Sequence, residues 1–274
     1  MIIWIASYPK SGNTWIRSFL SHYMYSNENK FDFDLLKNIK TFPDDKELNY
    51  LRKKYNNNFK FTDVVNHWDF FQTEISKNKT VFLKTHNALV TINNQSFTSI
   101  KNSLGLIYVI RDPRDVVISY ANHMAKTYEE TFEVMRSDSM EKTLDKLNKT
   151  FLTTWSNHFI SWREFPINKL FLRYEDLIED PMKEFTKIIM YLNSIHNVEI
   201  NEEKIINSIE ATSFKNLKNL EKEKSFHENP KFTEDQKFFR KGETKQWVKL
   251  LSKDLINKIQ NNFGEVMKEN GYNF

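Results

Sequence analysis

The sequence of 274 residues contains no cysteine. Disulfide bonds, thiolate nucleophiles and zinc–thiolate sites are therefore excluded. The sequence also lacks an apolar run of about 18 residues, so no membrane span is expected. No basic segment precedes the apolar residues at the start, and a secretory signal peptide is not predicted. These absences together predict an intracellular, cytoplasmic protein.

Charge of one sign is not concentrated in any part of the chain. Lys and Arg number 40 against 36 Asp and Glu, which gives a net charge of +4. A nucleic-acid-binding protein more often carries a basic cluster, so neither a nucleic-acid nor a membrane partner is expected. A modest positive balance is equally compatible with an enzyme that binds a polyanionic ligand. The chain is 39% hydrophobic and 15% aromatic, which is enough to bury a substantial core.

Four short apolar runs, each bounded by polar or turn residues, predict β-strands at residues 2–6, 80–84, 106–110 and 170–173. Helical patterns lie between them. Buried strands that alternate with helices are typical of a parallel sheet covered on both faces. The length suits one large domain, and we find no internal repeat. We predict an α/β fold in which residues 1–274 form a single domain with a central parallel β-sheet flanked by helices.

Apolar residues at helical spacing predict four helices. The first begins near Asn13, and the second runs from about 141 to 165 with Leu144, Leu147 and Phe151 on its apolar stripe. The third starts at Pro181 with Asp180 as its cap. The fourth extends from 253 to about 268. Residues 27–60 and 218–238 are polar with little periodicity. We expect surface or lid segments there.

The loop between the first strand and the first helix has the character of an anion site. Free N–H groups and the positive end of the helix dipole meet at such a position. Gly12 permits close backbone approach, Ser11, Asn13 and Thr14 can donate hydrogen bonds, and Lys10 adds a positive charge. A capped helix that follows a proline turn would explain the same residues.

A P-loop kinase is the obvious competitor for this loop. Its Walker A pattern needs a glycine, four residues, and then Gly-Lys-Ser/Thr. Here Lys10 precedes Gly12 and the first glycine is absent. The order of residues therefore disfavours a kinase.

The strand at 106–110 runs into a helix start that is only partly explained by capping. Asp112 can cap the helix, Pro113 suits its first turn, and the helix dipole favours a carboxylate at Asp115. Arg111 and Ser119 have no such explanation. Their spacing alone does not show that they converge.

The strand at 80–84 ends in Lys84-Thr85-His86, and catalytic groups of open α/β sheets gather at such strand ends. A histidine, whose ordinary pKa is near 6.5, is suited to accept a proton from a reacting hydroxyl. His86 is therefore the candidate base among seven histidines, and His123 could also reach the pocket.

The octapeptide Tyr8-Pro9-Lys10-Ser11-Gly12-Asn13-Thr14-Trp15 closely resembles the 5′-phosphosulfate loop of cytosolic sulfotransferases. These enzymes use 3′-phosphoadenosine 5′-phosphosulfate (PAPS). The resemblance implies that Lys10 contacts the sulfuryl-bearing phosphate and Trp15 helps to hold adenine. It also implies that Arg111 and Ser119 bind the 3′-phosphate, that His86 is the general base, and that Lys84 assists Lys10.

Later segments resemble the same family in the same order along the chain. The implied adenine contacts are Tyr174, Thr212, Phe214 and Leu217, and the implied 3′-phosphate loop contributes Phe239, Arg240, Lys241 and Gly242. Two positions depart from the family pattern. Asn87-Ala88 replaces a frequent Leu-Pro, and Lys245 stands where a second glycine is common.

The resemblance implies a P-loop-NTPase-like sulfotransferase fold and in-line transfer of a sulfuryl group from PAPS to a hydroxyl or amine. The product would be adenosine 3′,5′-bisphosphate, and no metal would be required. The acceptor is expected to be a small alcohol, phenol, sugar or amine. Its candidate wall residues are Trp68, Phe70, Phe71, Tyr128 and Phe132. A P-loop-type kinase and a non-catalytic adenosine-bisphosphate-binding protein are the alternatives, and the chain could be a monomer or a homodimer.

Overall fold

A five-stranded parallel sheet lies at the centre of the computed structural model, which describes residues 1–138, 140–141, 150–224, 226, 228 and 237–274. The strands are β1 (Ile2–Ala6), β2 (Lys40–Thr41), β3 (Val81–Thr85), β4 (Thr91–Ile92), β5 (Gln95–Ser96), β6 (Ser103–Ile110), β7 (Met140–Glu141), β8 (Thr150–Phe151) and β9 (Asn168–Arg173). The central sheet has the order β2-β3-β1-β6-β9, and every neighbouring pair is parallel. The pairs β4-β5 and β7-β8 form two small antiparallel ribbons.

Helices connect these strands and cover the sheet. They are α1 (Asn13–Tyr25), α2 (Asp45–Lys54), α3 (Phe61–Asn66), α4 (Trp68–Ile75), α5 (Pro113–Met124), α6 (Tyr128–Arg136), α7 (Trp155–Glu164), α8 (Tyr174–Glu179), α9 (Pro181–His196), α10 (Glu202–Ala211), α11 (Phe214–Glu223), α12 (Trp247–Leu250) and α13 (Lys253–Glu269). A 3₁₀-helix spans Phe33–Asn38. Within the described residues, no helix has the length and apolar composition needed to cross a lipid bilayer.

The strand β1 explains why the sheet is covered on both faces. All five of its residues are buried. Trp4 packs into a core with α5, α7 and α13, whereas Ile3 and Ile5 pack into a second core with α1 and α9. Successive side chains of a strand point to opposite faces, so a strand between two helical layers needs apolar residues at every position. The predicted α/β fold with a central parallel sheet is confirmed.

Local capping sets several helix boundaries that the sequence predicts. The Asp112 carboxylate accepts a hydrogen bond from the N–H of Arg114, and Asp180 accepts one from Lys183. Each cap is followed by a proline in the first helical turn. Because proline lacks an N–H that the first turn would leave unpaired, both helices begin as expected.

One of the expectations about secondary structure is wrong. The helix expected from about 141 to 165 is the strand β8 followed by α7, because Thr154 caps a new helix by accepting from the N–H of Asn157. Leu144 and Leu147 lie outside the described residues. The polar segment 27–60 contains α2, which a capping box between Asp44 and Glu47 initiates.

Gly105 on β6 provides a test of how closely the sheet packs against α9. A Cβ atom at this position would lie 2.5 Å from both Tyr191 Oη and Ile195 Cδ1. Tyr191 Oη also donates to the Asn168 carbonyl and accepts from the Leu106 N–H. We expect Gly105→Ala to lower the free energy of unfolding by about 1 to 3 kcal/mol, measured by chemical denaturation.

Gly264 is the matched control for this substitution. It lies within α13, and a Cβ there would be 3.3 Å from the ring of the exposed Phe274 at the chain end, which can move. Gly264→Ala should leave the stability unchanged or raise it, because alanine favours a helix interior. Equal effects of the two substitutions would contradict the proposed packing constraint.

Candidate active site

A pocket opens where β1, β3 and β6 end, and it collects most of the residues that the sequence singles out. Those on its wall are Lys10, Gly12, Asn13, Thr14, Trp15, Lys84, His86, Arg111, Ser119, Tyr174, Phe214, Leu217, Phe239, Arg240, Lys241 and Gly242. They come from segments that are up to 232 positions apart in the chain. The parallel sheet brings them together because the carboxyl ends of its strands share one edge.

Two predicted residues do not reach this wall. Ser11 is fully buried within the loop, and its hydroxyl has no hydrogen-bond partner among the described residues. Thr212 is also fully buried, and its hydroxyl donates to the Ser208 carbonyl at 2.6 Å. The Thr212 hydroxyl therefore makes its hydrogen bond within the end of α10 and does not face the pocket.

Backbone conformation in the loop before α1 depends on Gly12. Its φ angle is +105°, and a Cβ atom would lie 2.6 Å from the Tyr174 ring. Residues with a side chain larger than hydrogen rarely adopt such a backbone angle. Asn13 braces the loop by donating to the Ile5 carbonyl at 3.1 Å and to Ser7 Oγ at 3.3 Å. Its amide nitrogen is therefore used within the loop.

The ring of His86 is oriented by the end of β1. Its Nδ1 lies 2.8 Å from the Ser7 carbonyl oxygen, which can only accept a hydrogen bond. Nδ1 therefore carries the proton, and Nε2 keeps its lone pair. Burial and the nearby Lys84 ammonium lower the pKa of His86 well below its usual range. The imidazole is neutral at pH 7 and can accept a proton at Nε2.

Lys10 and Lys84 line the same pocket as this histidine and supply positive charge there. The Lys10 ammonium lies 3.9 Å from the centre of the Phe238 ring, and burial lowers the pKa of Lys10 to about 8. Lys84 and Arg17 both face Glu228, at 3.8 Å and 2.5 Å respectively. The pocket therefore concentrates cations in a partly desolvated space.

Glu228 is a pocket residue that the sequence analysis missed. Its carboxylate pairs with Arg17 and Lys84 and also accepts a hydrogen bond from Thr14 Oγ1 at 3.2 Å. No local pattern marks this residue, because its partners lie more than 140 positions away in the chain. Other unpredicted wall residues are Pro9, Ile178, Phe238 and Gln246.

His123 reaches the wall, in agreement with the sequence analysis. It lies in the last turn of α5, and its ring stacks on Tyr120 with centroids 6.2 Å apart. Burial and the nearby Lys10 and Lys84 ammonium groups lower the pKa of His123 to about 4.

Arg111 connects the two sides of the pocket. Its Nη1 donates to the Lys10 carbonyl at 3.1 Å, and its Nη2 donates to the Glu243 carbonyl at 2.9 Å. The guanidinium carbon also lies 4.4 Å from the centre of the Tyr174 ring. Its Nε has no hydrogen-bond partner among the described residues. This N–H group is therefore buried without an acceptor from the described part of the chain.

Asp115 attaches the segment 240–247 to α5. Its two carboxylate oxygens accept hydrogen bonds from the N–H groups of Lys245, at 2.7 Å, and Trp247, at 3.1 Å. The Arg114 guanidinium packs on the Trp247 ring at 3.8 Å. The sequence analysis explains Asp115 by the helix dipole alone, and its contact with a distant backbone is an additional role.

Lys245 keeps the backbone conformation that a glycine would adopt. Its φ angle is +58°, in the left-handed region, and its side chain is exposed. Lys245 therefore adopts a conformation that glycine reaches without a steric penalty, at the cost of local strain. Gly242 has a φ of +66°, and a Cβ atom there would lie 2.5 Å from the Phe214 ring.

The departure at Asn87-Ala88 is also accommodated by specific contacts. Asn87 Oδ1 accepts from the Phe151 N–H at 2.9 Å, and the Ala88 N–H donates to the Phe151 carbonyl at 2.7 Å. A proline at 88 could not make the second bond. The pair thus fixes the chain after His86 against β8.

Aromatic groups form the remaining wall. Trp15 meets Tyr174 edge to face at 6.4 Å, and Phe214 meets Phe239 at 6.2 Å. Trp15 Nε1 has no hydrogen-bond partner within the described residues. A flat apolar ligand with polar edges suits such a surface.

None of the five aromatic residues considered for an acceptor site belongs to this pocket wall. Trp68, Phe71 and Phe132 are buried in the core, Tyr128 packs against that core, and Phe70 is exposed. Their apolar surface is used mainly for packing.

Comparisons with known proteins agree on one family. The model of the family described as sulfotransferase domain matches residues 2–271. Flavonol 3-sulfotransferase of Flaveria bidentis is 25% identical over 98% of this chain and 82% of its own. Cytosolic sulfotransferase 7 of Arabidopsis thaliana is 30% identical over 87% of this chain and 70% of its own.

Solved structures show the same fold. A mouse sulfotransferase, SULT7A1, complexed with PAP has a TM-score of 0.61 and 19% identity, covering 97% of this chain and 84% of that one. Retinol dehydratase, in complex with androsterone and inactive cofactor PAP, has a TM-score of 0.62 and 19% identity, covering 100% and 82%. At this identity the likeness establishes the fold alone.

The contact between Asp115 and the segment 240–247 can be tested by hydrogen exchange. In Asp115→Asn, the side chain has one acceptor oxygen, so one of the two N–H groups loses its partner. We expect the local opening free energy to fall by about 1 to 3 kcal/mol, which speeds exchange at the Lys245 and Trp247 amides. The exposed Asp254, which pairs with Lys258 on α13, provides the control Asp254→Asn. Unchanged exchange in Asp115→Asn would contradict the role of Asp115.

Proposed function

The chain belongs to the sulfotransferase domain family, and from that membership we propose that it transfers a sulfuryl group from PAPS to a small-molecule acceptor. The observation that carries this proposal is the convergence of His86, Lys84 and Lys10 on one pocket. A neutral base thus shares one pocket with a buried lysine, Lys84, and a half-buried one, Lys10. This combination suits deprotonation of an attacking group and stabilisation of a leaving anion.

Unpaired polar atoms in the pocket fit PAPS. Arg111 Nε, Trp15 Nε1 and Ser11 Oγ are buried without hydrogen-bond partners among the described residues. Buried donors normally have acceptors, and phosphate oxygens or a purine edge can supply them. The wall combines cations with aromatic rings, which suits a nucleotide that carries anionic groups.

The proposed binding residues fall into three groups. Lys10, Ser11, Gly12, Asn13 and Thr14 would surround the 5′-phosphosulfate at the start of α1. Arg111, Ser119, Arg240, Lys241 and Gly242 would hold the 3′-phosphate. The adenine would lie among Trp15, Tyr174, Phe214 and Leu217, with Thr212 supporting them from the end of α10. Phe239 would belong to the loop that holds the 3′-phosphate.

PAPS, when bound, would supply the sulfuryl group and leave as adenosine 3′,5′-bisphosphate. The residues of the chain then have separate tasks. His86 accepts the proton of the acceptor hydroxyl or amine at Nε2, while Nδ1–H stays hydrogen-bonded to the Ser7 carbonyl. Lys10 and Lys84 hold positive charge near the group that leaves. Fixed charges in a desolvated pocket need little reorganisation during the reaction.

Further parts of the proposal concern the acceptor and the context. The relative named flavonol 3-sulfotransferase supports a small alcohol or phenol as the acceptor. Relatives named cytosolic sulfotransferases support a cytoplasmic location. We also propose that residues 1–274 act as one sulfotransferase domain and that no metal ion is needed. The alternative of a P-loop kinase is disfavoured, because Lys10 precedes Gly12 in the loop.

His86→Asn tests the base directly. The asparagine amide can still donate to the Ser7 carbonyl, but the chain loses the Nε2 lone pair. We expect kcat with labelled PAPS to fall by about 10²- to 10⁴-fold. The affinity for adenosine 3′,5′-bisphosphate, measured by calorimetry, should stay near its wild-type value. His196→Asn, a substitution at the end of α9, is the control. Retained turnover in His86→Asn would remove His86 from the base role.

Arg111 and Ser119 can be tested with two nucleotides that differ by one phosphate. Losing a charge-assisted hydrogen bond costs about 1.5 to 3 kcal/mol of binding free energy. Arg111→Ala should therefore lower the affinity for adenosine 3′,5′-bisphosphate by about 10- to 100-fold. Adenosine 5′-phosphate should be affected much less. Because Arg111 also holds the loop, Ser119→Ala serves as a second variant that leaves the contacts of Arg111 intact.

Exposed Arg136 on α6 provides the control Arg136→Ala. If Ser119→Ala lowered the affinity for both nucleotides equally, this result would argue against a 3′-phosphate contact at Ser119.

A further inference from the structure

A second histidine lies directly behind His86. His158, on α7, is fully buried. Its Nε2 lies 2.9 Å from the His86 carbonyl oxygen, and its Nδ1 lies 2.8 Å from the hydroxyl of Tyr108 on β6. His158 therefore contacts the backbone of the candidate base, while its own ring does not line the pocket.

The proton positions along this chain of contacts follow from the His86 carbonyl. A carbonyl oxygen can only accept, so His158 Nε2 carries a proton and donates to it. Nδ1 of His158 is then the acceptor for the Tyr108 O–H. Burial lowers the pKa of His158 to about 4 and raises the pKa of Tyr108 well above its usual range. Both groups stay neutral, and the direction of each hydrogen bond is fixed.

Helix α7 holds the chain after β3 through one face. His158 donates to the His86 carbonyl, and Trp162 Nε1 donates to the Asn87 carbonyl at 2.9 Å. Ser161 Oγ accepts from the Leu89 N–H at 3.0 Å. Residues three and four positions apart share a helix face, so these three side chains can act on one segment.

The ring and the backbone of His86 are thus held from opposite directions. The Ser7 carbonyl fixes Nδ1 of the ring, and His158 fixes the carbonyl of the same residue. His158 also meets the ring of Tyr8 edge to face at 5.5 Å. The ionisable residues in contact with His158 are therefore Tyr8, Tyr108 and, through its backbone carbonyl, His86.

We propose that His158, supported by Tyr108, is a positioning residue. By holding the backbone carbonyl of His86, it keeps the ring where Nδ1–H meets the Ser7 carbonyl and Nε2 is available as the base. The proposal rests on the sulfotransferase function proposed above. A purely structural histidine would contribute to stability without affecting the state of the His86 ring.

The test compares His158→Leu, which cannot donate, with His158→Gln, whose amide can donate to the His86 carbonyl. We expect His158→Leu to lower kcat by up to about 100-fold, with KM for PAPS and the affinity for adenosine 3′,5′-bisphosphate nearly unchanged. His158→Gln should recover much of the loss. Tyr108→Phe, which retains the ring, should also lower kcat, but by a smaller factor than His158→Leu.

A spectroscopic measurement separates positioning from stability. In ¹⁵N-histidine NMR of the folded protein, the wild-type His86 ring should show one tautomer, protonated at Nδ1. His158→Leu should show a mixture of tautomers, and His158→Gln should restore the single form. An unchanged His86 signal in His158→Leu, with unchanged kcat, would overturn the proposal.

A double-mutant comparison tests whether His158 acts through His86. In the His86→Asn background, His158→Leu should cause little additional loss of kcat, whereas a full additional loss would show an independent role. If no acceptor gave turnover in the wild type, the proposed function would fail, and the NMR measurement would still decide the positioning role.

Discussion

The guanidinium of Arg111 donates in two directions, to the Lys10 carbonyl and to the Glu243 carbonyl. These two carbonyls belong to segments near opposite ends of the chain, and no strand pairing connects them directly. A planar fork can hold both because its donors have a fixed geometry. The phosphate loop and the segment 240–247 are joined by this contact, and Asp115 reinforces it one helical turn further along α5. The shape of the pocket therefore depends on a side chain that also supplies part of its charge.

Concentrating cations in a partly buried space has an electrostatic cost, which the protein offsets with Glu228. Its carboxylate pairs with Arg17 and Lys84, and it also raises the pKa of Lys10 against the opposing effect of burial. A polyanionic ligand would raise the pKa of Lys10 in the same sense, because it favours the ammonium form. Glu228 thus contacts Lys84, a cation that the proposed ligand would also use. The charge that binds the ligand is present in the folded protein before binding, as electrostatic preorganisation requires.

Sequence reasoning succeeded where the relevant signal was local. The first strand, the glycine turn and the helix at Asn13 follow one another within 25 residues, and all three occur as predicted. Arg111 and Ser119 also reach the same pocket, although their spacing could not show it. Their convergence depends on how the chain leaves β6 and enters α5.

The contributions that sequence reasoning missed are long-range. Asp115 binds two backbone N–H groups 130 and 132 positions away, and backbone groups carry no residue-specific signal. Glu228 belongs to a polar segment without periodicity, and only the tertiary structure brings it to Arg17. The helix expected from about 141 to 165 was wrong because apolar spacing does not reveal a break at Thr154, where a new cap begins α7.

The two departures from the family pattern clarify what that pattern describes. Lys245 occupies a glycine position yet adopts the left-handed backbone that a glycine would provide. Asn87-Ala88 lacks the proline, and two hydrogen bonds to Phe151 fix the same stretch of chain. At both positions a specific backbone geometry accompanies the departure from the family pattern. The residues retained unchanged, such as Lys10, His86 and Arg111, are those whose side-chain chemistry no backbone contact could replace. The pattern therefore combines two kinds of constraint, and only the second is specific to the proposed reaction.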